Sequence, residues 1–135
     1  MPVENVISLT RKLIAFDTIN PPGKEKEMAL YVGNLLSKNG FKVEYIPFET
    51  DRLHVIAEIG INYEIPSIVF TGHFDTVPLG AKQWNENPFG GEVKEGKLFG
   101  RGSSDMKGGL AAMIIAAIEA TQNKSFKNGV RLIFT

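Results

Sequence analysis

Two helices are predicted by the spacing of apolar residues in the amino-terminal part of the chain. Residues 4–16 carry apolar side chains at close to helical spacing, and so do residues 24–38, with Gly40 just beyond their end. Residues 20–23 (NPPG) separate the two segments. Adjacent prolines lack backbone donors and disfavour helix in the residue before them, so this stretch is predicted to be a rigid connection.

Beyond Gly40 the pattern changes to that of strands. Residues 41–48 alternate between apolar and polar side chains, which predicts a strand with one solvated face. Residues 53–60 and 67–73 are predicted to form two more strands. The last of these is nearly all apolar, as expected for a strand that is covered on both faces.

The pattern in the remaining part of the chain predicts a loop, a hairpin, a helix and a strand. Residues 74–91 have no hydrophobic period, and such long loops are often functional. A hairpin turning at Glu95-Gly96 follows. Residues 106–122 are apolar around most of a helix, which favours burial between layers, and residues 130–135 are predicted to form a strand.

Composition narrows the class of protein. The chain has 135 residues, a length that suits one domain, and this order of elements indicates a layered α/β architecture. Lys and Arg number 15, as do Asp and Glu, so the formal net charge is zero. Nucleic acids and anionic membranes select clustered basic residues, and neither is an expected partner.

The chain contains no cysteine, which limits the chemistry available to it. A disulfide framework, a cysteine zinc site, a thiol nucleophile and an iron–sulfur cluster are excluded. Any metal site must therefore use histidine and carboxylates. The first residues lack a secretory signal pattern and the apolar run 110–118 is too short for a membrane span, so we expect a soluble cytoplasmic protein.

The first candidate motif is TGHFDTVP. His73 ends an apolar strand, where α/β folds open their ligand crevice, and Asp75 faces the same side of an extended chain. A carboxylate that accepts one imidazole N–H leaves the other ring nitrogen free to bind a metal. Alternatively, Asp75 caps a local turn and His73 is merely a polar residue.

The second candidate motif is the glycine-rich GRGSSDMKGG. Asp105 stands where a dinucleotide fingerprint needs glycine, so nucleotide binding is disfavoured. Asp105 could act as the N-cap of the following helix. Alternatively, the flanking glycines let the backbone approach an ion closely, and hard divalent ions prefer carboxylates, which can bridge two of them.

Together these motifs resemble a known family. GHFDTVP, then Trp84 with Asn87-Pro88-Phe89, then KLFGRGSSDMKGGLAAM are similar to the co-catalytic di-zinc hydrolases, which include acetylornithine deacetylase, succinyl-diaminopimelate desuccinylase, aminoacylase and glutamate carboxypeptidase-like exopeptidases. The resemblance extends over the whole chain, including residues 20–23.

The resemblance implies a three-layer, zinc-exopeptidase-like α/β catalytic domain with a mixed sheet between helices. It implies that His73 binds one zinc ion, that Asp75 orients His73, and that Asp105 bridges two Zn²⁺ ions, with Co²⁺ as a possible substitute. It also implies a cis peptide bond after Asp105. The expected reaction is hydrolysis of an N-acyl amino acid or small peptide by metal-activated water.

The resemblance further implies that residues 1–135 are a truncated, amino-terminal part of the catalytic domain. The strand 130–135 would lead into an acidic pair containing the general base, and we expect the lid or dimerisation domain and the carboxyl-terminal part to be absent. We expect the chain alone to bind zinc weakly and to hydrolyse nothing. The alternative is a non-catalytic product that acts as a weak metal-binding or self-associating module, which a stop codon directly after Thr135 would favour.

Four other residues receive smaller roles. His54 is interpreted as an ordinary strand histidine. Trp84 and Phe89 could line the substrate entrance, but support of the long loop is the favoured interpretation. Arg101 is expected to hold the glycine-rich loop together by binding carbonyls or a carboxylate.

Overall fold

The computed structural model describes residues 5–135, which form three helices and six strands. These are α1 (Val6–Ala15), α2 (Lys26–Lys38), β1 (Lys42–Glu49), β2 (Arg52–Ile59), β3 (Ile68–Gly72), β4 (Glu92–Lys94), β5 (Lys97–Phe99), α3 (Gly108–Gln122) and β6 (Val130–Phe134). Residue 4, where the first helix was predicted to begin, lies outside the described residues. Within them, no helix is long and apolar enough to cross a membrane.

Local sequence signals account for the first helix and for the hairpin. Asn5 caps α1, since its side-chain oxygen accepts a hydrogen bond of 2.9 Å from the backbone N–H of Ser8. The hairpin of β4 and β5 turns at Glu95 and Gly96, as predicted. Both residues have positive φ angles, of 49° and 73°, which a tight two-residue turn requires.

The main sheet is mixed and has four strands in the order β1-β2-β6-β3. The pairs β1/β2 and β2/β6 are antiparallel, whereas β3 and β6 are parallel. The predicted mixed α/β class is therefore confirmed. The strand β6 lies at the centre, where Leu132 is paired with Ala57 of β2 on one side and with Phe70 of β3 on the other.

One face of this sheet carries the hydrophobic core. Val55 and Ala57 of β2 and Leu132 and Phe134 of β6 point to that face and are buried, and α2 and α3 pack against it. The opposite face carries apolar side chains that no described element covers; these include Ile46, Ile56, Val69 and Ile133. The described residues thus form two of the three layers that the resemblance implies.

The prediction that the third strand is covered on both faces is wrong for the described residues. β3 is an edge strand, and Ile68 and Val69 are 41% and 53% exposed. The apolar run correctly predicted a strand. It could not predict which other elements would pack against that strand.

The third helix begins later than predicted and is buried on one side only. Asp105 and Met106 have non-helical dihedral angles, so regular helix starts at Gly108 rather than at residue 106. Leu110 and Ile114 are buried, but Ala112 is exposed. Alanine fits either environment, and this explains why an apolar circumference did not distinguish a surface helix from a buried one.

Candidate metal centre

His73 lies directly beyond the carboxyl end of β3. The parallel ladder with β6 continues past the strand, since Phe74 N–H donates to the Thr135 carbonyl at 2.7 Å and Thr135 N–H donates to the Gly72 carbonyl at 2.9 Å. Phe74 is fully buried. Because side chains alternate along an extended chain, His73 and Asp75 both point away from the core.

Asp75 lies beside the imidazole of His73. Its Oδ1 is 3.0 Å from His73 Nδ1, and its own backbone carbonyl is also 3.0 Å from that nitrogen. A carboxylate at this position can only accept, so Nδ1 carries the proton. The carboxylate therefore contacts the imidazole rather than capping a local turn.

Asp105 closes the site from the other side. Its Oδ1 is 2.9 Å from His73 Nε2, and its side chain is 85% exposed. The peptide bond between Asp105 and Met106 is cis, as predicted. In the described chain α3 has no side-chain N-cap, which removes the capping interpretation of Asp105.

The two carboxylates make the His73 ring a favourable place for positive charge. Partial burial alone lowers the pKa of His73, but hydrogen bonds to the Asp75 carbonyl and the Asp105 carboxylate outweigh it and raise the pKa above its ordinary value. Both ring nitrogens face oxygen acceptors. The geometry thus favours a cation, either a proton or a metal ion, between Nε2 and Asp105.

The side chains at this site are of the types that bind divalent ions, but too few of those described lie together to hold one. An imidazole nitrogen and a carboxylate oxygen are common zinc ligands. Within residues 5–135, however, no group of three histidine, cysteine or acidic side chains lies close enough to hold an ion. Catalytic zinc sites usually have three protein ligands per ion, so His73 and Asp105 fit part of such a site.

The segment before the prolines also reaches the site, which the sequence analysis missed. Thr18 Oγ1 donates to the Phe74 carbonyl at 2.8 Å, and Asn20 Nδ2 donates to Asp75 Oδ2 at 3.0 Å. NPPG was interpreted only as a rigid connection. The polar side chain of Asn20, next to this rigid turn, was the sequence feature that could have indicated a contact with the site.

Lys107 is a second residue that pattern analysis did not identify. Its side chain is 1% exposed, and its Nζ donates to the Phe16 carbonyl at 2.7 Å. Burial lowers the pKa of Lys107 to about 8, opposed in part by the negative charge of Asp17. Lys107 thereby ties the Asp105 loop to the end of α1.

Arg101 binds backbone carbonyls, as predicted, but these belong to the long loop, so it joins that loop to the glycine-rich loop. Its Nη2 donates to the Pro78 carbonyl at 3.0 Å, and its guanidinium lies 5.0 Å from the ring centroid of Trp84. Trp84 Nε1 donates to the Leu79 carbonyl at 3.0 Å, so the tryptophan supports the long loop. Trp84 and Arg101 also line a cleft of about 320 Å³ that reaches Asp105.

The other two aromatic candidates, His54 and Phe89, make local contacts. His54 stacks on Phe48, with 4.1 Å between ring centroids and 6° between ring planes, which agrees with an ordinary strand histidine. Phe89 N–H donates to the Asn87 side chain at 2.9 Å. Phe89 is not among the residues that line the cleft beside Asp105.

In this α/β domain, a histidine and two carboxylates are gathered beyond the carboxyl end of a strand, where α/β folds bind their ligands. Residues 69–135, which carry both motifs, match peptidase family M20/M25/M40. The predicted resemblance to this family is confirmed for that segment.

Curated relatives are similar to almost the whole chain. A succinyl-diaminopimelate desuccinylase from Wolbachia pipientis is 36% identical over 131 residues, covering 96% of this chain and 32% of the relative. The chain thus spans about a third of the length of the curated relatives it matches.

The fold is shared with proteins of known structure. An M20 family metallo-carboxypeptidase from Sulfolobus solfataricus has a TM-score of 0.83 at 22% identity, over 98% of this chain and 30% of that one. The Bacillus subtilis YXEP protein, described as a dinuclear metal-binding peptidase of the M20 family, has a TM-score of 0.55 at 22% identity, over 96% of this chain and 34% of that one.

Proposed function

We propose that the chain is the amino-terminal portion of a cytoplasmic, metal-dependent hydrolase that cleaves the amide bond of an N-acyl amino acid or small peptide. In this proposal, His73 and Asp105 are metal ligands and Asp75 orients His73. The substrate class follows the family and the name of the Wolbachia relative. The observation that carries the proposal is the 2.9 Å distance between His73 Nε2 and Asp105 Oδ1.

The residues have separate tasks in this chemistry. Asp75 holds the Nδ1–H of His73 through its backbone carbonyl and its carboxylate, each 3.0 Å from Nδ1, and this would leave the Nε2 lone pair directed at the ion. Asp105 is largely exposed, so its second oxygen is accessible to a second ion. Two bound zinc ions would supply an acidified water and polarise the scissile carbonyl.

The test uses the fact that the chain has only two histidines. Zn²⁺ or Co²⁺ is titrated into the chain while the two imidazoles are followed by NMR. We expect the signals of His73 to shift and those of His54 to stay in place. His73→Gln and Asp105→Asn should each weaken binding about tenfold or more, whereas His54→Gln serves as the matched control.

Two outcomes would contradict the assignment of ligands. One is an unchanged His73 signal at metal concentrations that saturate the chain. The other is a loss of affinity in His54→Gln equal to that in His73→Gln.

A second candidate is a non-catalytic module that binds metal weakly or associates with itself. Two observations favour it: the described site supplies two ligands, and the open sheet face exposes Ile46 and Val69. We expect no hydrolysis of N-succinyl or N-acetyl amino acids by the 135-residue chain with added Zn²⁺, and association that increases with concentration in light scattering. Metal-dependent deacylation by this chain, or a strictly monomeric species, would oppose this candidate.

A further inference from the structure

We infer that Asn20 is a positioning residue of the metal centre: its side-chain amide fixes the Asp75 carboxylate and, through it, the imidazole of His73. The inference rests on the proposed metal site. It extends the site from the two motifs to the side chain of Asn20, which lies 55 positions earlier in the chain than Asp75.

The geometry around Asp75 shows how Asn20 would act. Asp75 Oδ1 is 3.0 Å from His73 Nδ1, and Asp75 Oδ2 is 3.0 Å from Asn20 Nδ2. A carboxylate that is held at one oxygen rotates readily about its last side-chain bond, because that torsion has broad minima. Held at both oxygens, the carboxylate keeps its plane and stays beside Nδ1 of His73, which also faces the Asp75 backbone carbonyl at 3.0 Å.

Asn20 is itself fixed by the backbone. Its N–H donates to the Thr76 carbonyl at 2.8 Å, and Thr76 N–H donates to the Thr18 carbonyl at 3.0 Å. These bonds form a short parallel bridge between Ile19 and Thr76. The bridge sets the register that places the Asn20 amide opposite Asp75. Because Oδ2 can only accept, the nearer atom of the amide is its NH₂ group.

A general role in holding the two segments together has to be separated from a role in positioning. Thr18 provides the contrast, since its buried Oγ1 donates to the Phe74 carbonyl at 2.8 Å and joins the same segments without touching Asp75. Thr18→Val therefore removes a hydrogen bond between the two segments but leaves the contact between Asn20 and Asp75 in place. Asn20→Ala removes the contact with Asp75, and Asn20→Asp keeps the size of the side chain but places a second carboxylate against the first.

The experiment compares these three variants with the unchanged chain in three measurements. They are the urea midpoint of unfolding, the affinity for Zn²⁺ from the NMR titration, and the ¹⁵N and ¹H signals of the His73 ring without metal. We expect Asn20→Ala to weaken Zn²⁺ binding about tenfold, as for other residues that orient a metal ligand, and Asn20→Asp to weaken it more. Both should shift the metal-free signals of the His73 ring.

Thr18→Val should lower the urea midpoint while leaving the Zn²⁺ affinity and the His73 signals close to those of the unchanged chain. The signals of His54 act as an internal reference in every variant.

The inference is overturned if both Asn20 variants retain the Zn²⁺ affinity and the His73 signals of the unchanged chain. It is also overturned if Thr18→Val lowers the affinity as much as Asn20→Ala does. Should the unchanged chain bind no Zn²⁺ at His73, the proposed function fails separately. The metal-free signals then decide the positioning role: a shift in Asn20→Ala supports it, and no shift refutes it.

Discussion

Two adjacent glycines at the start of α3 provide a matched pair of substitutions close to the metal centre. A Cβ atom on Gly108 would lie 2.5 Å from the carbonyl oxygen of Ser103, whereas a Cβ on Gly109 would first meet the side chain of Met106 at 3.6 Å. Both positions are helical, so replacing glycine by alanine should raise the free energy of unfolding by the same intrinsic amount at each, about 0.5–1 kcal/mol.

The difference between the two variants therefore measures the close approach of Ser103. Real Cβ atoms hardly ever lie within 3.0 Å of another atom, so in Gly108→Ala the Ser103 carbonyl must move by 0.5 Å or more, the difference between 3.0 Å and 2.5 Å. Forcing extra volume into a packed region costs about 1–3 kcal/mol. We expect Gly108→Ala to be less stable than Gly109→Ala by about that amount.

Urea unfolding of both variants measures this difference, with equal dependence on urea as the check that the unfolded states are comparable. The backbone that has to move, residues 103–107, carries Asp105, so the His73 ring signals should shift in Gly108→Ala and remain in place in Gly109→Ala. A Gly108→Ala chain at least as stable as Gly109→Ala would refute the steric reasoning.

Three further predictions concern stability and use the same unfolding assay. Leu132→Ala opens a cavity in the centre of the sheet and should cost about 2–5 kcal/mol, and a cost below that of a surface substitution would contradict its place in the core. Arg52→Met leaves the buried Glu25 carboxylate, now paired at 3.0 Å, without its partner and should cost about 3–5 kcal/mol. The double variant Glu25→Gln/Arg52→Met should be the more stable of the two, and the reverse order would contradict the ion-pair argument. Asn5→Ala removes the cap of α1 and should cost about 1 kcal/mol, whereas Asn5→Asp should retain most of the stability.

Local pattern predicted most of the elements, because the spacing of apolar residues reports which side of a helix or strand is buried. It correctly predicted α1, α2 and the hairpin turn at Glu95-Gly96. It failed where burial depends on distant parts of the chain. The exposure of Val69 follows from the position of β3 at an edge, and no feature of residues 67–73 encodes that position.

The residues of the site show the same difference between neighbours in the sequence, which could be predicted, and distant contacts, which could not. His73 and Asp75 are two residues apart, so strand geometry alone places them side by side. Asn20 and Lys107 act through contacts with Asp75 and Phe16 that span 55 and 91 positions in the chain. Such contacts depend on topology, which a single sequence specifies only through the complete fold.

The central position of β6 has a consequence for the order of events on the ribosome. β6 lies between β2 and β3 although it is synthesised after both of them. Until residues 130–135 leave the exit tunnel, one edge of β2 and one edge of β3 lack their partner, and the Phe74 N–H lacks the Thr135 carbonyl that anchors the strand end beside His73. Exposed strand edges of nascent chains invite pairing with other chains. The candidate metal centre can therefore be assembled only after β6 has been synthesised and has closed the sheet.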